Sequence, residues 1–276
     1  LEAAYGVAHG QLAYYRALVA KGELRHICDS KTLRDHHATW QQADASAKPL
    51  GFILSMEGSW PVLTPGQIQE WWDAGLRILG PAHYGPNEYC HGTGCEGGWK
   101  TDGPALLSEM ERVGMLLDVT HLSDECLDSV FDMFGGRLLA SHHNCRQLVP
   151  DQRQLTDDQI KKLVDRGAVI GASFDNWMIT PNWRSNPDPK TVSLEDLANH
   201  TDHICQLAGN ANHCGIGSDL DGGFGKEQCP HDIDTIADLA RFAEVLANRG
   251  YGDDDIRAIM YDNWNNFFLE ALPDAR

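Results

Sequence analysis

The strongest constraint on the fold of this chain is a recurring pattern. Seven short apolar runs, separated by stretches of helical pattern, each end at a polar residue suited to metal binding or acid–base chemistry. GFILSMEG reaches Glu57, GLRILGPAH reaches His83, MLLDVTH reaches His121, LLASHH reaches His142, AVIGASFD reaches Asp175 and CGIGSDLDG reaches Asp219; a weaker early run, ELRHICDS, carries Asp29. In a (β/α)8 barrel every strand points its C-terminal end at one rim, and chemistry collects there. Carboxylates and imidazoles delivered together to such a rim are the donors of a metal-dependent hydrolase.

The pattern predicts an α/β fold, a (β/α)8 TIM-type barrel, in preference to an open doubly wound sheet, because nearly every strand end bears a reactive group. A length of 276 residues suits one such barrel. No repeat, linker or low-complexity tract divides the chain, so residues 1–276 are expected to form a single domain. Seven strand candidates are one short of eight, and the first strand is expected to precede Leu1.

Helix boundaries are legible in the same way. The opening stretch to Gly22 is amphipathic. Ser30, Thr64, Ser123, Thr156 and Ser193 stand where N-caps are expected. The segment 30–46 reads as helix, and Asp253, Asp254 and Asp255 read as the acidic start of the last one. Tyr84–Thr101 and Asp175–Lys190 read as long rim loops.

Composition narrows the class. A net charge of −18 argues against nucleic acid or an anionic membrane as partner. No run of about 18 apolar residues occurs, which excludes a membrane-spanning helix in this stretch. Eight cysteines without a C-x-x-C pair read as reduced thiols, although Cys90 and Cys95 share a Gly-rich loop and could pair. A cytoplasmic location is the matching expectation.

Glu57 offers two oxygens able to bridge ions, and His121 and His142 are candidate imidazole ligands on consecutive strands. His143 points the other way by alternation and reads as structural. His83 is a further ligand or a donor to a developing oxyanion. Asp219 is placed for proton transfer, with Asp221 two positions on. Arg153 can grip a substrate carboxylate through two parallel hydrogen bonds. Trp60, Trp99 and Trp177 are candidate pocket walls. The pair His36 and His37 reads as exposed.

These strings have a resemblance. SMEG, GLRILGPAH, D-V-T-H-L-S, the S-H strand end, V-P-D-Q-R and GIGSDLDG are similar, in order and spacing, to the membrane (renal-type) dipeptidase family of zinc metallopeptidases, over about Leu50 to Leu272. The resemblance implies a zinc-dependent dipeptidase that uses a metal-activated hydroxide. It implies that Glu57 bridges two zinc ions and that His121 and His142 ligate the second. His83 contacts the substrate and supports the intermediate, Arg153 binds the free carboxylate, and Asp219 is the acid–base residue. It also implies a small dipeptide substrate and a homodimer. One departure stands out: the family's first-strand H-x-D pair has no counterpart in this chain, so one zinc or none is an open alternative. A related amidohydrolase acting on N-acyl amino acids or lactones, and an inactive barrel serving as a binding protein, are the rival functions.

Overall fold

The computed structural model describes residues 1–42 and 48–274. Contacts divide them into two compact units, one from Leu1 to Arg137 with the C-terminal segment from Phe267, the other Leu138–Asn266.

The first unit runs α1 (Glu2–Ala20), β1 (Leu24–His26), α2 (Ser30–Trp40), β2 (Leu50–Phe52), β3 (Leu54–Glu57), α3 (Ile68–Asp73), β4 (Leu76–Gly80), α4 (Gly103–Val113), β5 (Leu116–Asp118) and α5 (Asp124–Met133). Its strands pair in parallel. β1 lies on β2 with Leu24 opposite Leu50, β3 lies on β4 with Glu57 opposite Gly80, and β4 lies on β5 with Ile78 opposite Leu116. The apolar run read as one strand is thus two. The chain changes partners at Ile53, β2 pairing with β1 and β3 with β4. Every residue of β4 and β5 is buried, as continuous apolar strands of parallel sheets are. Arg77 and Asp118 are the polar exceptions, and both are satisfied: the Arg77 guanidinium donates to the carbonyls of Cys28, Leu76 and Trp72 and lies over the Trp72 ring, and Asp118 accepts from Thr120 N.

The second unit runs β6 (Leu138–Leu139), α6 (Asp157–Asp165), β7 (Ile170–Ala172), α7 (Asn176–Ile179), α8 (Leu194–Ala208), β8 (Cys214–Ile216), α9 (Arg241–Asn248) and α10 (Asp253–Arg257). A π-helical turn at Ala258–Asp262 then leads to α11 (Asn263–Ala271). β7 and β8 pair in parallel with Ile170 opposite Cys214, and Ala140 bridges to Ile170. Two glycines allow these strands to approach. A Cβ on Gly171 or Gly217 would meet the Ser141 carbonyl oxygen at 2.1 or 2.0 Å, well inside contact distance.

The α/β alternation is as expected, and several caps are seen. The Ser123 hydroxyl accepts from Cys126 N, and Thr156 and Ser193 close capping boxes. Three readings change. The cap of α2 is Asp29, which accepts from the Thr32 amide and hydroxyl, with Ser30 already inside the helix. Asp29 is therefore a structural residue. His36 is buried, because α2 packs it against β2 near Gly51. The loop after Asp175 contains a helical turn, α7. All eight cysteines, Cys90 and Cys95 included, are free thiols. The expected continuation of α2 over 43–46 lies outside the described residues. No helix among the described residues is long and apolar enough to cross a membrane.

Candidate metal centre

Glu57 is the last residue of β3. Its side chain is half exposed, and Oε1 lies 3.2 Å from Nε2 of His121. His121 follows β5 by three residues. It is buried, and its backbone sits in the left-handed region at φ 69°, an uncommon conformation for a residue with a Cβ. The turn is held by the Asp118 carboxylate, which accepts from Thr120 N at 3.0 Å.

The other imidazole nitrogen, Nδ1, is 2.9 Å from Thr93 Oγ1, whose hydroxyl can donate onward to the His121 carbonyl at 3.5 Å. In that arrangement Nδ1–H donates to Thr93 and Nε2 keeps its lone pair toward Glu57. Metal-binding histidines are commonly oriented in this way. Thr93 comes from the Gly-rich loop, which is tied down when Thr93 N donates to the His83 carbonyl. The His83 ring stands 4.5 Å from the His121 ring, centroid to centroid, and Tyr84 packs on both rings.

His142 lies three residues beyond β6. Its Nδ1 is 2.8 Å from Ser141 Oγ, and its Nε2 is 4.0 Å from Asp219 Oδ2. A hydroxyl again holds Nδ1 while Nε2 faces a carboxylate. Asp219 follows β8 by three residues and, like His121, adopts a positive φ, 61°. Its carbonyl accepts from Gly222 N at 2.8 Å, closing a tight turn. Asn182 is the only other described non-glycine residue with positive φ. Strain of this kind tends to gather where function fixes a side chain.

Within the first unit, Glu57 and His121 offer a carboxylate oxygen and an imidazole nitrogen 3.2 Å apart, and within the second His142 offers a further imidazole nitrogen. A carboxylate with two imidazoles is a donor set that zinc accepts. Arg153 is almost wholly buried. Its guanidinium donates to the His142 carbonyl at 2.9 Å and reaches His143 Nδ1 at 3.3 Å. His143 is itself buried. Asp221, with Ser218 and Leu220, lines a cavity of about 580 Å³. Of the tryptophans, Trp60 stands 6.5 Å from the His83 ring, Trp99 donates to the Cys126 carbonyl, and Trp177 is buried under the Arg184 guanidinium.

Thr93 and Ser141 carry no signal in the sequence, and Asp175 stands there only as the end of an apolar run, with no role attached. Asp175 is buried, and burial pushes its carboxyl above the usual carboxylate range. Hydrogen bonds from Gln228 and Trp177 pull it back, and the charge of Asp219 adds to the rise.

A parallel α/β framework carrying this donor set defines a metal-dependent hydrolase. The chain belongs to the membrane dipeptidase family, peptidase family M19, whose sequence profile matches residues 16–271. It is 28% identical over 195 residues to the dipeptidase AclJ of Aspergillus oryzae, a match covering 69% of this chain and 44% of that protein. Its fold is that of the crystal structure of dipeptidase AC, a metallopeptidase of family M19, with a TM-score of 0.85 and 24% identity over 99% of this chain and 79% of the other. A metallopeptidase from Rhodobacter sphaeroides, solved with a phosphinate mimic of the dipeptide L-Ala-D-Ala, is similar with a TM-score of 0.81 and 25% identity over 96% of this chain and 73% of that one.

Proposed function

We propose that this chain is a zinc-dependent dipeptidase, with Glu57, His121 and His142 as metal ligands. The observation that carries the reading is the approach of Glu57 Oε1 to within 3.2 Å of Nε2 of His121, a buried imidazole whose other nitrogen is held by Thr93. A divalent ion there would polarise a carbonyl and lower the pKa of a water.

The remaining roles belong to the chain's own groups. His83, whose ring packs on that of His121, donates to the oxygen of the scissile carbonyl as negative charge develops. Asp219 takes a proton from the attacking water and delivers it to the departing amine; a carboxylate about 4 Å from a metal-binding imidazole is within reach of both. Arg153 binds the substrate's terminal carboxylate. Its burial supports this role, since a desolvated guanidinium makes strong charge-assisted hydrogen bonds, and its bonds to His142 and His143 fix its plane. A homodimer and a cytoplasmic location belong to the same proposal, the latter supported by the eight free thiols.

The test is a panel of dipeptides with L or D residues at the second position, offered to the zinc-loaded protein. Hydrolysis that chelation abolishes and zinc restores is expected. Bound zinc without hydrolysis of any dipeptide would reject the assignment. Arg153→Met should raise KM for dipeptides by about 100-fold, on the scale of a lost charge-assisted pair, and leave dipeptide amides nearly unaffected. Equal effects on both would remove Arg153 from its role.

A further inference from the structure

Asp175 lies between β7 and α7, and only 6% of it is exposed. Both its oxygens accept from Gln228 Nε2, at 2.9 and 3.0 Å, and Trp177 adds donors. All are neutral. No cationic side chain pairs with Asp175 among the described residues.

The neighbouring Asn176 is fully buried. Its Nδ2 donates to the Cys229 carbonyl, while its Oδ1 accepts no hydrogen bond from a described residue. The start of α7 therefore holds more acceptors than donors and a buried negative charge without a counter-charge, a combination that costs free energy until a cationic donor arrives.

The location bears on the reaction. Phe174 N donates to the Ser218 carbonyl at 3.0 Å, which sets the strand carrying Asp175 beside the one carrying Asp219. Asp219 in turn lies 4.0 Å from His142.

We propose that Asp175 binds the α-ammonium group of the substrate. The site then takes peptides with a free amino terminus and discriminates against N-acyl amino acids, which are neutral at that position. The proposal rests on the dipeptidase reading and names its substrate selectivity. Asp175 differs from the acid–base residue in that it acts on binding. Its neutral partners, Gln228 and Trp177, hold the carboxylate in place without cancelling its charge.

The experiment compares alanyl-alanine with propionyl-alanine, the same molecule without its ammonium group, on the zinc-loaded protein at neutral pH. The readouts are KM for the first and the inhibition constant, or KM, of the second. The wild type should favour alanyl-alanine by about tenfold or more, the scale of one charge-assisted bond. Asp175→Asn, which keeps a partner for Gln228, should raise KM for alanyl-alanine by about tenfold with kcat within about threefold, and move the propionyl-alanine constant by less than about twofold. Gln228→Leu keeps the carboxylate and should keep the preference.

Three results would overturn the proposal: a wild type that does not distinguish the two ligands, an Asp175→Asn protein that loses both alike, or a Gln228→Leu protein that loses the preference as Asp175→Asn does, which would mark a purely structural link. The first and third decide the matter even if Asp175→Asn does not fold. Absence of all dipeptide hydrolysis by the wild type would instead bring down the dipeptidase reading beneath it.

Discussion

The ends of β5 and β8 invite comparison. Each strand is three residues long, and each is followed three residues later by a candidate site residue whose backbone is left-handed, His121 at φ 69° and Asp219 at φ 61°. Beyond that they diverge. His121 is buried, its ring held by the Thr93 hydroxyl on one side and facing Glu57 on the other. The Asp219 side chain retains 23% exposure, on a turn closed by Gly222 and continued by further glycines. One strand end presents a fixed donor, and the other presents a carboxylate with access to solvent. A metal ligand gains from immobility, because its affinity depends on preset geometry. A proton carrier must exchange its proton with water in each cycle.

The comparison can be broken from either side. His121→Asn should abolish metal retention and lower kcat/KM by about 1,000-fold or more, the scale of losing a metal ligand; elemental analysis and steady-state kinetics check it, and full metal occupancy would contradict the reading of β5. Asp219→Asn should do the reverse, keeping the metal while kcat falls by about 100- to 1,000-fold; loss of metal in this variant would erase the distinction between the two strand ends. Thr93→Val removes the orienting hydroxyl and should weaken metal affinity by about 10- to 100-fold with little change in Tm, read by competition with a chelator. Gly222→Ala is the mildest. Its Cβ would come within 2.5 Å of Asp219 Oδ1, so the carboxylate must move, and kcat should fall by about tenfold with metal content unchanged.

Much of this was legible in the sequence, for a physical reason. A strand buried on both faces is largely apolar, so β4 and β5 announce themselves, and a polar residue at the end of such a run or within three residues of it marks its exit. Glu57, His83, His121, His142 and Asp219 all follow that rule. What escaped was of a different kind. The change of partner at Ile53 leaves no mark, because two short strands in series read like one long one. The hydroxyls of Thr93 and Ser141 sit in loops, where no periodicity separates an orienting hydroxyl from a solvated one. Asp29 and Ser30 are both good caps, and only the backbone angles decide between them. His36 looked exposed because a His-His pair in a polar helix gives no hint of which residue faces the sheet. Asp175 ended an apolar run as the others did, yet its buried, uncompensated charge is a property of the folded chain alone.

The central claim is that Glu57, His121 and His142 hold a metal together. Metal content of the purified chain after equilibration with zinc, measured beside Glu57→Gln and His142→Asn, tests it most directly. We expect at least one zinc per wild-type chain, and binding at least about tenfold weaker in each variant. Zinc retained equally by all three proteins, or by none of them, would contradict the account.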